Sequence, residues 1–181
     1  MEKTIVYFYS KKGNNRFLAE KISAELNCDI EGIRPRLNVF PLILLGFSAG
    51  IRKLKKIPEN YERVILCGPV FVGKFIAPLL KFVQKYREQI SRLIFVTCCG
   101  SGFEQKNEKF GHGHVFGKLR GMLGDKCVHC EAFPISLVLP VEKRKDPDVV
   151  LKTRLSDNNF KGEIETRYHE LITLISRDER V

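Results

Sequence analysis

Apolar and polar positions along the chain fall into two alternating patterns. Thr4 to Tyr9 is a short run of β-branched and aromatic residues, which predicts a buried strand. After a polar stretch, Leu18, Ile22 and Leu26 recur at helical spacing with Phe17 beside them, while Glu20, Lys21 and Glu25 fall on the other face. That pattern predicts an amphipathic helix of about three turns. Cys28 to Ile33 reads as a second short strand, and Arg63 to Cys67 as a third, closed by Gly68-Pro69. A helix is expected after it, with Pro78 near its start and Leu79, Leu80 and Val83 on one face. Arg92 to Cys98 and Cys127 to Phe133 read as a fourth and a fifth strand. Between them a helix is expected around Gly113–Leu123, and Ile164, Tyr168, Leu171, Ile172 and Ile175 mark a last helix.

Apolar strands separated by amphipathic helices predict an α/β fold with a parallel sheet covered on both faces. Two stretches fit this alternation poorly. Arg34–Pro58 is expected to hold a helix with a long lead-in, and Leu137–Asp157, with Pro140 and Pro147, an irregular excursion. Neither an internal repeat nor an interdomain linker is visible, so residues 1–181 are expected to form a single domain.

Composition adds a charge. Of 181 residues, 31 are Lys or Arg and 21 Asp or Glu, a formal net charge of +10. Such a balance suits an acidic partner, an anionic cofactor, nucleic acid or a lipid surface. The basic residues are scattered, without interleaved aromatics, so nucleic-acid binding is not expected. No apolar run approaches the roughly 20 residues of a membrane span, and the amino terminus runs directly into a strand pattern rather than a leader. The expected compartment is the cytoplasm, where the six cysteines need no disulfide framework.

In an open parallel sheet, ligands bind beyond the carboxyl ends of the strands. Three loops of unusual composition lead to that end. Ser10-Lys11-Lys12-Gly13-Asn14-Asn15-Arg16 joins the first strand to a helix amino terminus, where free N–H groups and the helix dipole favour an anion. Gly68-Pro69-Val70-Phe71-Val72-Gly73-Lys74 follows the third strand, and Thr97-Cys98-Cys99-Gly100-Ser101-Gly102-Phe103 follows the fourth.

These motifs resemble the flavodoxin family. The first loop is similar to its phosphate loop, with Ser10 and Gly13 matching and Lys12 and Asn15 standing where two threonines are usual. The second is similar to the family's Gly-x-Pro-Val-aromatic-x-Gly segment, and the third to its Thr-x-Gly-Gly loop; Leu151–Phe160 also has counterparts there. The resemblance implies a three-layer doubly wound sandwich with a five-stranded parallel sheet in the order 2-1-3-4-5. It also implies FMN as cofactor: the phosphate on Ser10, Lys11, Lys12, Gly13, Asn14 and Asn15, and the flavin ring between Pro69, Val70, Phe71, Val72, Gly73 and Thr97, Cys98, Cys99, Gly100, Ser101. Phe71 would stack on the ring, and Lys12 and Asn15 would replace the missing hydroxyls by charge and amide donation. The implied activity is electron transfer, as a carrier or as a small FMN-dependent oxidoreductase of the quinone-reductase or protoporphyrinogen-oxidase kind. A fold that has weakened or lost FMN remains the alternative. The partner would be a redox protein or small-molecule electron acceptor, with an acidic one favoured by the charge.

Other constellations stay outside this reading. Adjacent Cys98 and Cys99 invite a redox-thiol role, but neighbouring thiols are more often inert. Cys127-Val-His-Cys130 has metal or redox spacing, with His112, His114 and His129 as further ligands. Strand alternation is expected to send those cysteines apart, so no metal site is expected. Val39–Phe47 with Arg52–Lys56 combines apolar and basic residues. A helix packed on the sheet with a basic end is expected there; a peripheral membrane contact and a homodimer patch are the other readings.

Overall fold

The computed structural model describes residues 3–37, 40–71, 73–100 and 111–177. Five strands form one parallel sheet: β1 (Thr4–Phe8), β2 (Asp29–Gly32), β3 (Arg63–Cys67), β6 (Arg92–Cys99) and β7 (Cys127–Pro134). Their order is β2-β1-β3-β6-β7, the expected 2-1-3-4-5 arrangement. Val64, Ile65, Leu66 and Cys67 are all wholly buried, as are Leu93 to Val96, because the central strands are covered on both sides.

Helices α1 (Asn14–Glu25) and α6 (Glu163–Arg177) pack on one face, and α3 (Ala77–Tyr86) and α4 (Gly111–Leu123) on the other. Strand alternation divides the side chains between two cores. Val6, Ile65, Ile94 and Val96 meet Leu18, Ile22, Tyr168 and Leu171, while Ile5, Tyr7, Leu66 and Phe95 meet Leu79, Phe82, Val115 and Leu119. The expected three layers are therefore present.

Three local features differ from expectation. Between β3 and α3, Val70–Phe71 (β4) and Lys74–Phe75 (β5) form a small antiparallel ribbon. The 34–58 segment is not a helix laid on the sheet. It is an arm whose sides meet at Pro35 and Ile51, carrying the five-residue helix α2 (Phe40–Leu44). Ile43, Ile51 and Leu54 enter the core, whereas Leu37, Leu42, Leu45 and Phe47 are 38–71% exposed. A helix of little more than one turn has no room for a full apolar stripe. Within the 137–157 excursion lies one short helix, α5 (Pro147–Lys152), whose Asp146 carboxylate accepts from the N–H groups of Asp148 and Val149.

Candidate functional site

The carboxyl ends of β1, β3 and β6 lie side by side and hold the three loops together. The Tyr9 N–H donates to the Cys67 carbonyl at 3.0 Å, and the Gly68 N–H to the Val96 carbonyl at 3.0 Å.

At the first loop, Gly13 precedes α1 with φ +96°, and no side chain caps the helix. The first intrahelical bond runs from the Phe17 N–H to the Gly13 carbonyl. Helix geometry leaves the N–H groups of Asn14, Asn15 and Arg16 without intrahelical acceptors. Space beside the Gly13 Cα is open, and Lys11, Lys12 and Gly13 are exposed. This is the geometry of an anion site at a helix amino terminus.

The side chains of this loop are engaged differently from expectation. The Ser10 hydroxyl accepts from the Gly13 N–H at 3.1 Å, stiffening the turn. Asn15 is 4% exposed, and its amide exchanges two hydrogen bonds with the Cys98 backbone, accepting at 2.8 Å and donating at 3.2 Å. Its amide thus ties α1 to β6 rather than facing the mouth, which corrects its expected role as a phosphate donor through the side chain. Asn14 likewise accepts from the Leu155 N–H at 3.0 Å and donates to the Thr153 carbonyl, and the Lys12 ammonium donates to the Leu151 carbonyl at 3.2 Å. The loop is therefore framed by the last turn of α5 and the chain just after it. Leu151, Thr153 and Leu155 were legible only as part of the 151–160 resemblance, because they act through backbone atoms.

At the second loop, Pro69 and Val70 are half-buried, and the ribbon lifts Phe71 outward, 41% exposed, opposite Lys74. Gly73 closes the ribbon at φ +65°. Val72 lies outside the described residues, as does Ser101 of the third loop.

At the third loop, Thr97 is wholly buried, and its hydroxyl has no hydrogen-bond partner among the described residues. Burial pushes the Cys98 thiol well above its ordinary pKa, so it is a core residue rather than a nucleophile. The Cys99 sulfur lies 3.9 Å from His112 Nδ1. Gly100 is exposed, and a Cβ there would come within 3.8 Å of Val150 on α5. The structure thus brings Ser10–Asn15, Pro69–Phe71 and Thr97–Gly100 to one end of the sheet, with an exposed aromatic ring and an uncapped helix start.

Among the described residues, no three His, Cys, Asp or Glu side chains converge as a metal site, and no helix is long and apolar enough to cross a membrane. A shallow groove of about 1020 Å³ lies elsewhere, lined by Arg92, His129, His169 and Arg177 among others.

A doubly wound α/β sheet with its loops gathered at the carboxyl edge is an open-sheet architecture, the class in which ligands bind at that edge. Its particular form is the flavodoxin-like fold. A flavoprotein of Lactobacillus acidophilus, whose crystal structure is a complex with FMN, superimposes with a TM-score of 0.58 at 16% identity, covering 73% of this chain and 93% of that one. Another, a putative flavoprotein of Bacteroides eggerthii, gives 0.57 at 14% identity, covering 83% and 94%. At these identities the likeness concerns the fold. In sequence, an uncharacterized protein of Archaeoglobus fulgidus is 28% identical over 103 residues, 56% of this chain and 68% of that protein. No protein-family model matches the chain.

Proposed function

We propose that the protein binds FMN at the mouth formed by these three loops and serves in electron transfer, as a carrier or a small flavin-dependent oxidoreductase. One observation carries this reading: the uncapped start of α1, with Gly13 at φ +96° and open space at its Cα, shares one sheet edge with the exposed Phe71 ring. The residues present fit the cofactor. Backbone N–H groups of Asn14–Arg16 and the charge of Lys12 suit a phosphoryl dianion, and Phe71 offers a face for a planar ring. Exposed Gly100 lets the backbone after β6 approach the ring edge. When bound, FMN supplies reversible electron uptake, and the chain needs no nucleophile of its own. The net charge of +10 supports an acidic redox partner or an anionic acceptor, and six free cysteines support a reducing compartment such as the cytoplasm.

Titration of flavin-stripped protein with FMN tests the reading. Expected is saturable quenching of flavin fluorescence at one equivalent, with riboflavin binding more weakly because it lacks the phosphate. Unquenched fluorescence at saturating protein would overturn it. That outcome would favour the second reading, a flavodoxin-like module without redox activity, which the internal engagement of Ser10, Asn14 and Asn15 supports.

A further inference from the structure

Cys127 and Cys130 lie away from the mouth. Cys130 stands opposite Phe95, four residues before Cys99, or about 13 Å along the strand. In a regular strand, residues three apart point to opposite faces. Here the ladder to β6 slips: Leu93 faces Cys127 and Ile94 faces His129, leaving Val128 as the extra residue of a bulge. The slip returns Cys130 to the face of Cys127, contrary to the divergence expected from alternation. Both residues are 8% exposed and join the core beneath α4. Their sulfurs are 3.6 Å apart, about 1.6 Å beyond disulfide bonding distance.

Two small core residues would explain the burial alone. They would not explain why the bulge sets the sulfurs in contact. The hydrogen bond from Cys130 draws the Cys127 thiol below its ordinary pKa, helped by the charges of Arg120 and His129 against the opposing effect of burial. The same hydrogen bond, with burial, pushes Cys130 up. One sulfur is disposed to attack and the other to hold the proton.

We propose that Cys127 and Cys130 form a reversible dithiol–disulfide site, oxidised by low-molecular-weight disulfides and independent of FMN. The Cys127 thiolate attacks one sulfur of the small disulfide, breaking its S–S bond and releasing one thiol. Cys130 then gives up its proton, and its sulfur attacks the mixed disulfide at Cys127, releasing the second thiol. The protein loses two protons and two electrons, and the small disulfide is reduced to two thiols.

The test uses the full chain in its folded state. It is incubated with oxidised glutathione, quenched in acid, denatured, alkylated and digested with trypsin, which releases residues 127–143. Expected is a peptide lighter by two hydrogens and carrying no alkyl group, reverting to two alkyl groups after dithiothreitol. Cys127→Ser and Cys130→Ser, both near-isosteric, should each abolish the intramolecular disulfide while leaving the circular dichroism spectrum unchanged. The proposal is overturned if the peptide keeps two alkyl groups under oxidising conditions. It is equally overturned if the disulfide forms only in urea above the unfolding midpoint of the chain, since it would then belong to the unfolded state.

Discussion

Gly68 and Gly13 are both glycines of the mouth, yet they are constrained for different reasons. A Cβ on Gly68 would meet Leu79 Cδ1 at 2.3 Å and Cδ2 at 2.9 Å. Leu79 is wholly buried, so its side chain has little room to yield without disturbing the packing of α3. Gly68→Ala is expected to cost about 1–3 kcal/mol, read as a lower urea midpoint with an unchanged slope. Around Gly13 there is open space, and only its φ of +96° resists a side chain. Gly13→Ala should therefore cost about 1 kcal/mol through the backbone, while disturbing the N–H groups that an anion would meet. The expected signature is weaker FMN quenching with a nearly intact urea midpoint, the reverse of Gly68→Ala. Asn15 completes the contrast. Asn15→Leu leaves the Cys98 N–H and C=O without their side-chain partner, and about 1–3 kcal/mol of stability should be lost.

At the scale of elements, the edge strand β7 depends on polar ties that its apolar pattern does not reveal. Glu131 meets Arg167 of α6 at 2.5 Å and His129 at 3.2 Å, and Arg167 also donates to the Ala132 carbonyl at 2.9 Å. Burial alone would raise the Glu131 pKa, but the hydrogen bond from His129 and the Arg167 charge overcome it and hold the carboxyl below its ordinary value. A depressed carboxyl contributes stability that is full above its unfolded value of about 4.3 and is lost as pH falls through the folded value. Urea unfolding between pH 6 and pH 3 should show this loss, and Glu131→Gln should flatten the acid limb. The central strands of the main sheet were legible because runs such as Leu93–Val96 are apolar on both faces. The β4–β5 ribbon was not, since two-residue strands are too short to show a period. The bulge at Val128 was invisible for a related reason: alternation assumes an unbroken register, and only the pairing with β6 breaks it. In the mouth, Gly13 and Phe71 were readable from residue type. The turning inward of Asn15 was not, because its partner is the backbone of a residue 83 positions away.

Taken as a whole, the molecule carries its charge and its exposed apolar surface unevenly. The arm leaves the sheet after β2, on the ligand side, where the Ile33 N–H donates to the Phe8 carbonyl at the end of β1. Its sides are joined by the Arg36 N–H to the Gly50 carbonyl and the Arg52 N–H to the Arg34 carbonyl. This sets Arg34, Arg36, Arg52 and Lys53, all exposed, along the stem. Beyond them stand Leu45 and Phe47, 71% and 67% exposed. The apolar run of this segment suggests a packed helix, but the five residues of α2 make little more than one turn, too short to bury a full apolar stripe. We propose that this apolar tip, above a cationic stem, makes a peripheral contact with an anionic bilayer, its side chains entering the headgroup boundary and the stem meeting lipid phosphates. Each Lys or Arg near such a surface contributes about 1 kcal/mol, and that attraction is screened by salt. Co-sedimentation with vesicles distinguishes the two contributions. Protein should pellet with phosphatidylcholine vesicles containing phosphatidylglycerol, remain in solution with phosphatidylcholine alone, and be released by high salt. Leu45→Glu with Phe47→Glu should abolish pelleting while leaving FMN quenching unchanged, because neither residue lies in the three loops. Equal pelleting of this double variant would assign the binding to the scattered basic surface instead, and a doubled mass in solution that the double variant loses would assign the tip to a second copy of the chain.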